Sequence, residues 1–252
     1  MFSGGVGSWA TARRVAERHG TDNLVLLFAD TRVEDPDLYR FRDEAAANVG
    51  GELVVVADGR TPFEVFKDDR FLGNQRLANC SKYLKIKPCR KWLETNCDPA
   101  MTTLYVGIDW TEQHRMPANR AGWEPWPVEF PMAEAPYLDK TQMLEMLDVE
   151  GIARPVAYAE GFPHNNCGQQ GCVRGGQAYW LLMLRARRDA FLRSEANEEA
   201  LRQHLDADVA ILRDRTGGKV RPMTLREFRE RNEAQLGLFD SEEWGACGCF
   251  TA

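Results

Sequence analysis

Two sets of residues in this sequence have types and spacings that could do chemistry. The first is Ser3-Gly4-Gly5-Val6-Gly7-Ser8, a glycine-rich turn that runs straight into an alanine-rich, helix-favouring stretch. Gly4, Gly5 and Gly7 can take positive φ and let backbone approach a ligand, while Ser3 and Ser8 offer hydroxyls beside the N–H groups of a helix's first turn. Such a turn is either a plain connection or an anion cradle, with phosphate as its natural occupant. It is not the Walker pattern, which needs four residues between its glycines and then Gly-Lys-Ser/Thr. The second set is the seven cysteines. Cys167 and Cys172 lie among Gly161, Gly168, Gly171, Gly175 and Gly176, beside His164, Asn165 and Asn166; Cys247 and Cys249 fall near the end of the chain. Thiols in such a loop bind zinc or an iron–sulfur cluster, exchange electrons, or do neither if they are inert. Cys80, Cys167, Cys172 and one of the tail pair, taken as Cys247, would make a four-thiolate metal site. Cys89 and Cys97, on a helix-like stretch, read as buried thiols. His164 could join a site, but a lone loop histidine is more commonly hydrogen-bonded to backbone.

An odd cysteine count in a chain without export signals points to reduced thiols, metal ligation or redox catalysis rather than a disulfide framework. The formal net charge of -6 argues against a surface that grips nucleic acid throughout, although a local basic cluster could still do so. No uninterrupted apolar run reaches bilayer length and no signal-peptide pattern opens the chain, so the expected setting is the cytoplasm with no membrane partner. The 252 residues suffice for one large or two small domains.

The elements that must position these residues follow in a βαβ rhythm. Ser8–His19 carries Trp9, Ala12, Val15 and Ala16 at helical spacing, with Gly20 where a C-cap belongs. Leu24–Ala29 is a continuous apolar run of strand length, as in a buried parallel strand, and Asp30 and Thr31 end it. Pro36–Asn48 is helical in pattern, Glu52–Val56 is a strand, and Thr103–Ile108 is another, with Asp109, Glu112, His114 and Arg115 at its C-terminal mouth, where open α/β sheets bind ligands. The architecture expected is α/β: an open, mostly parallel, Rossmann-like sheet over residues 1–150, then a cysteine-containing loop and a helical C-terminal region over 151–252. A phosphate loop normally follows a strand, yet only Met1 and Phe2 precede this one, so either Phe2 is the stump of the first strand or that strand is truncated. Lys82, Lys85, Lys87, Arg90 and Lys91 cluster beside Cys80, as a solvated basic face or as the holder of an anionic ligand. Residues 118–137, rich in Pro, Trp and Gly, read as an ordered surface loop whose tryptophans cover a core or stack on a base. Helical patterns follow over Lys140–Leu147, Gln177–Phe191, Glu195–Leu205 and Leu225–Leu236, with a turn at Thr216-Gly217-Gly218.

In order along the chain, SGGVGS, LLFADT, NCSKYLKIKP and YVGIDWTEQHR together resemble the PP-loop ATP pyrophosphatase superfamily, in particular its phosphoadenosine phosphosulfate (PAPS) reductase-like family, over roughly the first two thirds of the sequence. The resemblance implies an adenine nucleotide alpha hydrolase-like fold. It puts the phosphate or sulfate end of the nucleotide on Ser3, Gly4, Gly5, Gly7 and Ser8, and the adenosine against Ala29, Asp30 and Thr31. Lys85, Gly107 and Arg115 match the family's later nucleotide-binding positions, and Cys80 the cysteine ahead of its Lys-x-x-Pro-like stretch. Val6-Gly7 replaces the Lys-Asp of many relatives, which puts direct Mg²⁺ coordination at the loop in doubt. Cys80 is single where cluster-bearing members have a cysteine pair, and the Cys167–Cys172 spacing is wider than their Cys-x-x-Cys. Ala246-Cys247-Gly248-Cys249 is only loosely similar to the Glu-Cys-Gly tail of the clusterless reductases.

The leading expectation is therefore an enzyme that binds ATP, PAPS or adenylylsulfate (APS) and does thiol-dependent sulfur chemistry, with Cys247, Cys249 and Cys80 as catalytic candidates and a thioredoxin-like reductant as partner. Lys82, Lys85, Arg115 and Arg174 would hold the departing negative charge. A second reading is an ATP-dependent adenylation followed by sulfur or nitrogen transfer to a nucleobase or other acceptor, in which case the partner could be a nucleic acid. A third is a non-catalytic nucleotide-binding module. Each admits a homo-oligomer.

Overall fold

The computed structural model describes residues 1–234. The first helix, α1 (Val6–His19), buries Trp9, Ala12 and Val15 and stops at Gly20, whose N–H closes onto Ala16 O at φ 78°. β1 (Val25–Asp30) follows, then α2 (Pro36–Val49), which Asp35 caps by accepting from Asp37 N and which Gly50 ends in the left-handed region. Such a cap contributes about 1 kcal/mol. β2 (Glu52–Ala57) leads to α3 (Pro62–Asp68), started by a capping box between Thr61 and Glu64. A continuous helical stretch comes next: α4 (Asn79–Ser81), a π turn (Lys82–Ile86) and α5 (Lys87–Asn96), with Pro88 in the first turn of α5. The widened turn brings Lys85 inward, and only 4% of it is exposed.

β3 (Leu104–Tyr105) is much shorter than the expected strand over Thr103–Ile108, because Ile108 N turns back onto Val106 O two residues earlier. Residues 118–137 are also more ordered than a loop. They hold most of α6 (Met116–Trp123), β4 (Val128–Glu129) and a 3-10 turn at Pro131–Ala133. Trp123 and Trp126 are buried, with the Arg90 guanidinium 5.5 and 5.6 Å from their rings, so here they cover a core. α7 (Lys140–Val149) and the short α8 (Val156–Ala159) precede the cysteine loop. The helix expected over Gln177–Phe191 is two, α9 (Gln177–Ala186) and α10 (Arg188–Leu205). Arg187 breaks them apart at φ -138°, ψ 54°, where its guanidinium bridges Asp35 and Glu160. β5 (Leu212–Asp214), β6 (Arg221–Met223) and α11 (Leu225–Ala234) complete the described chain.

The protein is thus mixed α/β. β1 and β2 pair in parallel from Val25↔Glu52 to Asp30↔Ala57, β3 and β4 pair in parallel at Leu104↔Val128 and Tyr105↔Glu129, and β5 and β6 pair antiparallel. The open, Rossmann-like sheet expected from the sequence is not seen among the described residues, whose strands form separate two-stranded sheets. Between the two parallel pieces lie Met1 and Phe2: Phe2 N donates to Leu27 O at 2.8 Å and the Met1 amine to Tyr105 O at 2.9 Å. Of the hydrophobic clusters, one packs α1 and α2 on Leu26 and α7, and another packs α5, β3 and the tryptophans on Leu27 and Ala29. A third joins α3 to α9, α10 and α11 across the expected boundary at residue 150.

Candidate functional site

The glycine turn leaves Phe2 and enters α1 at Val6. Only Gly4 of the three glycines has positive φ (73°), and an ideal Cβ there would stand 2.8 Å from Leu38 Cδ2, so both conformation and space require glycine. Gly5 is extended (φ -107°, ψ 163°) and serves as the N-cap without any side-chain cap; Gly7 is helical, and a Cβ on it would meet open space. The first turn of α1 carries no acidic residue. Its dipole end is therefore not offset by a carboxylate of its own. Val6 N donates to the Tyr158 hydroxyl at 3.3 Å. Ser8 differs from expectation: its buried hydroxyl donates to Gly5 O at 2.8 Å and closes the turn from inside. Gly107 is a matter of close approach, since a Cβ there would come within 3.0 Å of Thr11 Oγ1 and 3.3 Å of Gly7 O.

The cysteine loop is clasped to this turn. Asn165 Nδ2 donates to Gly4 O at 2.8 Å and Asn166 Nδ2 to Ser3 O at 3.0 Å, both asparagines being buried. Asn165 Oδ1 is shielded, has no hydrogen-bond partner, and lies 3.3 Å from where a Cβ on Gly5 would be. Cys167 stands in the left-handed region at φ 57°, its N–H donating to Glu34 Oε2 at 2.7 Å, and Gly171 N returns to Cys167 O at 2.7 Å. Cys172 N donates to the Tyr179 hydroxyl at 3.0 Å. The two thiols are hydrogen-bonded to each other, and the Cys167 thiol is pushed well above its ordinary value by that bond, by burial and by the Glu34 carboxylate. Gly168 fits because a Cβ would collide with Asp35 Oδ2 at 2.5 Å and Arg187 Nη1 at 2.6 Å. Arg187 thereby fixes the far side of the loop to the cap of α2.

Glu34 is the hub beneath the loop. Fully buried, it accepts from Thr31 Oγ1 at 2.9 Å and pairs with Lys85 Nζ at 3.2 Å. A buried pair of this kind holds together because breaking it would strand a charge. Lys85 is thus a buried partner of Glu34 and not part of a solvated basic face. Asp30 accepts from Arg32 N and from the Tyr39 hydroxyl, and Ala29 is buried in the core behind it. Arg115, just past β3, pairs with Glu112. His164 stacks on Tyr179 at 5.6 Å and 23°. Burial first, then Lys140 and Lys85, pull its imidazole down to about 4, so it is neutral at pH 7; Nδ1 is shielded and has no partner.

Ser3, Gly4, Gly5, Gly7, Ser8 and Gly107 therefore come together, with Cys167 and Cys172 tied to them through two asparagines and Glu34. Cys80 is half-buried and packs on the same hydrophobic cluster as Cys172. Cys89 is fully buried, its thiol pushed up to about 12 by desolvation, and Cys97 is half-buried. Cys247 and Cys249 lie outside the described residues. Among the described residues no group of three or more His, Cys, Asp or Glu is placed to hold a metal ion. Cys167 is held protonated in this arrangement, by its bond to Cys172, by burial and by the Glu34 carboxylate. Sequence reasoning overlooked Tyr158 and Glu34. Tyr158 has no local signal, whereas Glu34 stands three residues past a strand end that was itself singled out. No protein-family model and no curated protein matches this chain.

Proposed function

We propose that this chain is an adenine-nucleotide enzyme similar to the PAPS reductase-like PP-loop proteins, binding the phosphate or sulfate end of a sulfonucleotide at the Ser3–Ser8 turn and reducing its sulfur with thiols. The observation that carries this reading is the clasp: Asn165 and Asn166, next to Cys167, bond the Gly4 and Ser3 carbonyls just ahead of α1, a helix whose N-cap Gly5 offers no side-chain cap and whose Val6 N–H is taken by the Tyr158 hydroxyl. Helix N-termini attract anions through their N–H groups and dipole. Gly4 needs glycine by its φ and by the closeness of Leu38, and Gly107 packs tightly against Thr11 and Gly7, so the turn is shaped rather than slack.

In the reaction, a thiolate attacks the sulfate sulfur, an S–S bond forms, and the S–O bond to phosphate breaks, the nucleotide monophosphate leaving with the electron pair. A second thiol then gives up its proton and attacks the sulfur of the S-sulfo cysteine. A disulfide forms and sulfite leaves, two thiols having been oxidised and the sulfate sulfur reduced by two electrons. An external dithiol, such as a thioredoxin-like protein, restores the thiols. In this scheme Cys247 or Cys249 attacks and one of Cys167 and Cys172 resolves; the Cys167 thiol, raised well above its ordinary value, has to lose its proton to act in that role.

The test is sulfite release from APS or PAPS with a dithiol reductant, on the full chain. Release that depends on Cys167 and Cys172 supports the reading. ATP–pyrophosphate exchange without sulfite release would replace it with the adenylation reading, and nucleotide binding without either reaction would leave a binding module.

A further inference from the structure

Along α10, Arg193, Asn197, Ala200 and His204 recur at intervals of four, three and four residues, which sets them on one face of the helix. On α3, Phe63 and Lys67 stand four apart and share a face in the same way. The two faces line a cleft of about 540 Å³, completed by Val33 past β1 and by Gln169 and Gln170 of the cysteine loop. Ala200 gives the cleft its room, since a methyl stands there between the longer Asn197 and His204. Val33, Phe63 and Leu201 supply apolar surface, and each is otherwise buried.

The charged groups of the cleft are unevenly matched. Its carboxylate, Glu64, is turned back onto the start of α3, where Oε2 accepts from Thr61 N at 2.7 Å and from Thr61 Oγ1 at 2.9 Å. Lys67 and Arg193 have no carboxylate partner among the described residues, although carboxylates are in excess in a chain of net charge -6. Arg188 and Arg202, on the same helix, each pair with one, Glu233 and Asp208; Arg60, just ahead of α3, pairs with Asp58 and Asp68. Arg193 instead donates through Nε and Nη2 to Gln169 O, at 3.3 and 2.9 Å. That bond steadies the guanidinium on the cleft, and Nη1 makes no hydrogen bond among the described residues.

We propose that this cleft binds a small organic phosphate, with the phosphate on Arg193 and Lys67 and an apolar, ring-sized body over Phe63 and Leu201 beside Ala200. A phosphate monoester carries close to two negative charges at pH 7 and three acceptor oxygens, which matches two cations without carboxylates, one of them a guanidinium with N–H donors to spare. The volume is in the ordinary range for small-molecule sites. A nucleic acid fits less well, because its binding draws on a row of cations along the backbone. None of the cleft's residues belongs to the Ser3–Ser8 turn, so the site stands whether or not a nucleotide binds there. Arg193 also ties the site to the loop that carries Cys167, through Gln169.

The experiment titrates the full chain with phenyl phosphate, beside benzyl alcohol as its uncharged counterpart and inorganic phosphate as the head group alone. Heteronuclear NMR reads the Arg193 Nε–H and the backbone amides of Phe63, Gln169 and Ala200, and a thermal melt accompanies each variant. The expected result is saturable shifts at these groups with a Kd below about 1 mM, and at least about tenfold weaker binding of both controls. Combining Lys67→Gln with Arg193→Gln should weaken binding at least about tenfold, and Ala200→Phe should do the same by filling the hollow while leaving the charges in place. Lys67, Arg193 and Ala200 are exposed, so these changes leave the core intact. If Ala200→Phe lowers the Tm, the charge variant decides alone. No saturable shift, shifts confined to residues 3–8, undiminished binding in the charge variant, or equal binding of either control would each overturn the proposal.

Discussion

Replacing Gly5 and Gly4 by alanine, one at a time, separates the role of the glycine turn in the fold from its role in binding. Gly5 has backbone angles open to any L-residue, and its added methyl would stand 3.3 Å from Asn165 Oδ1, 3.4 Å from the Tyr158 hydroxyl and 3.7 Å from Ser3 Oγ. Those neighbours need move only a few tenths of an ångström. The strain is offset by the roughly 0.4–1 kcal/mol gained when a glycine leaves the unfolded chain, so Gly5→Ala should stay within about 1 kcal/mol of the parent. Gly4 is different. Its φ of 73° costs an L-residue about 1–2 kcal/mol, and a Cβ 2.8 Å from Leu38 Cδ2 adds overpacking of about 1–3 kcal/mol. Gly4→Ala should therefore lose about 2–5 kcal/mol, which for a chain of this size lowers Tm by roughly 4–20 °C. With the phosphate end on this turn as proposed, the methyl of Gly5→Ala at the N-cap of α1 should weaken adenine-nucleotide binding by at least about tenfold, or 1.4 kcal/mol. Calorimetric titration with ADP and with APS, beside a thermal melt, reads both effects. A folded Gly5→Ala protein that binds both nucleotides within twofold of the parent would refute the assignment of the phosphate end to this turn.

Three further outcomes rest on titrating groups. His164 falls from 6.5 to about 4 on folding, so the unfolded chain takes up the proton first; the stability it contributes is present above about pH 6.5 and is lost as pH falls toward 4, by at most about 3 kcal/mol. Urea titrations across that range should show the loss, and His164→Phe should flatten it. Glu198 moves the other way, raised from 4.5 to about 7 by burial while accepting from Ile211 N at 2.8 Å and Leu225 N at 2.6 Å. Its contribution is whole below about pH 4.5 and is lost as pH rises through 7; Glu198→Ala should cost about 2–4 kcal/mol by orphaning two buried N–H groups, and an unchanged Tm would contradict that. Cys167 should alkylate slowly at pH 8, and Glu34→Gln should speed the reaction by removing the carboxylate that disfavours the thiolate while leaving Lys85 nearby. Slower alkylation in that variant would count against the electrostatic account.

What the sequence made legible was local. The α1 helix, β1, α2 and β2 are bounded by Gly20, Asp35-Pro36 and Gly50, whose backbone preferences act within a turn of the chain, and each was found within two residues of its place. β3 was misjudged in length because the fold of Ile108 back onto Val106 is a backbone event with no side-chain signature. Residues 118–137 looked like loop because proline and tryptophan obscure periodicity, although Pro117 sits in a first helical turn, where it is tolerated. At the site, residue types were readable but partnerships were not. Lys85 lay in an apparent basic face, yet the π turn rotates it onto Glu34. Asn165 and Asn166 were noticed only as company for the cysteines, because a side-chain amide seeking a carbonyl across most of the chain leaves no pattern in either segment.

The clasp between the asparagines and the glycine turn also has a consequence in time. Gly4 and Asn165 are separated by 161 positions, Ser3 and Asn166 by 163. At ribosomal rates of about 5–20 residues per second, the turn waits on the order of ten to thirty seconds between its own synthesis and that of the residues that close it. During that interval a nascent chain can form α1 and the β1–β2 ladder, both made from near neighbours, while the carbonyls of Ser3 and Gly4 remain open to water. A chain stalled shortly before residue 165 would thus have α1, β1, α2 and β2 already made while the Ser3 and Gly4 carbonyls still lack their asparagine partners. The turn is thus made early and closed only after most of the described chain has been synthesised.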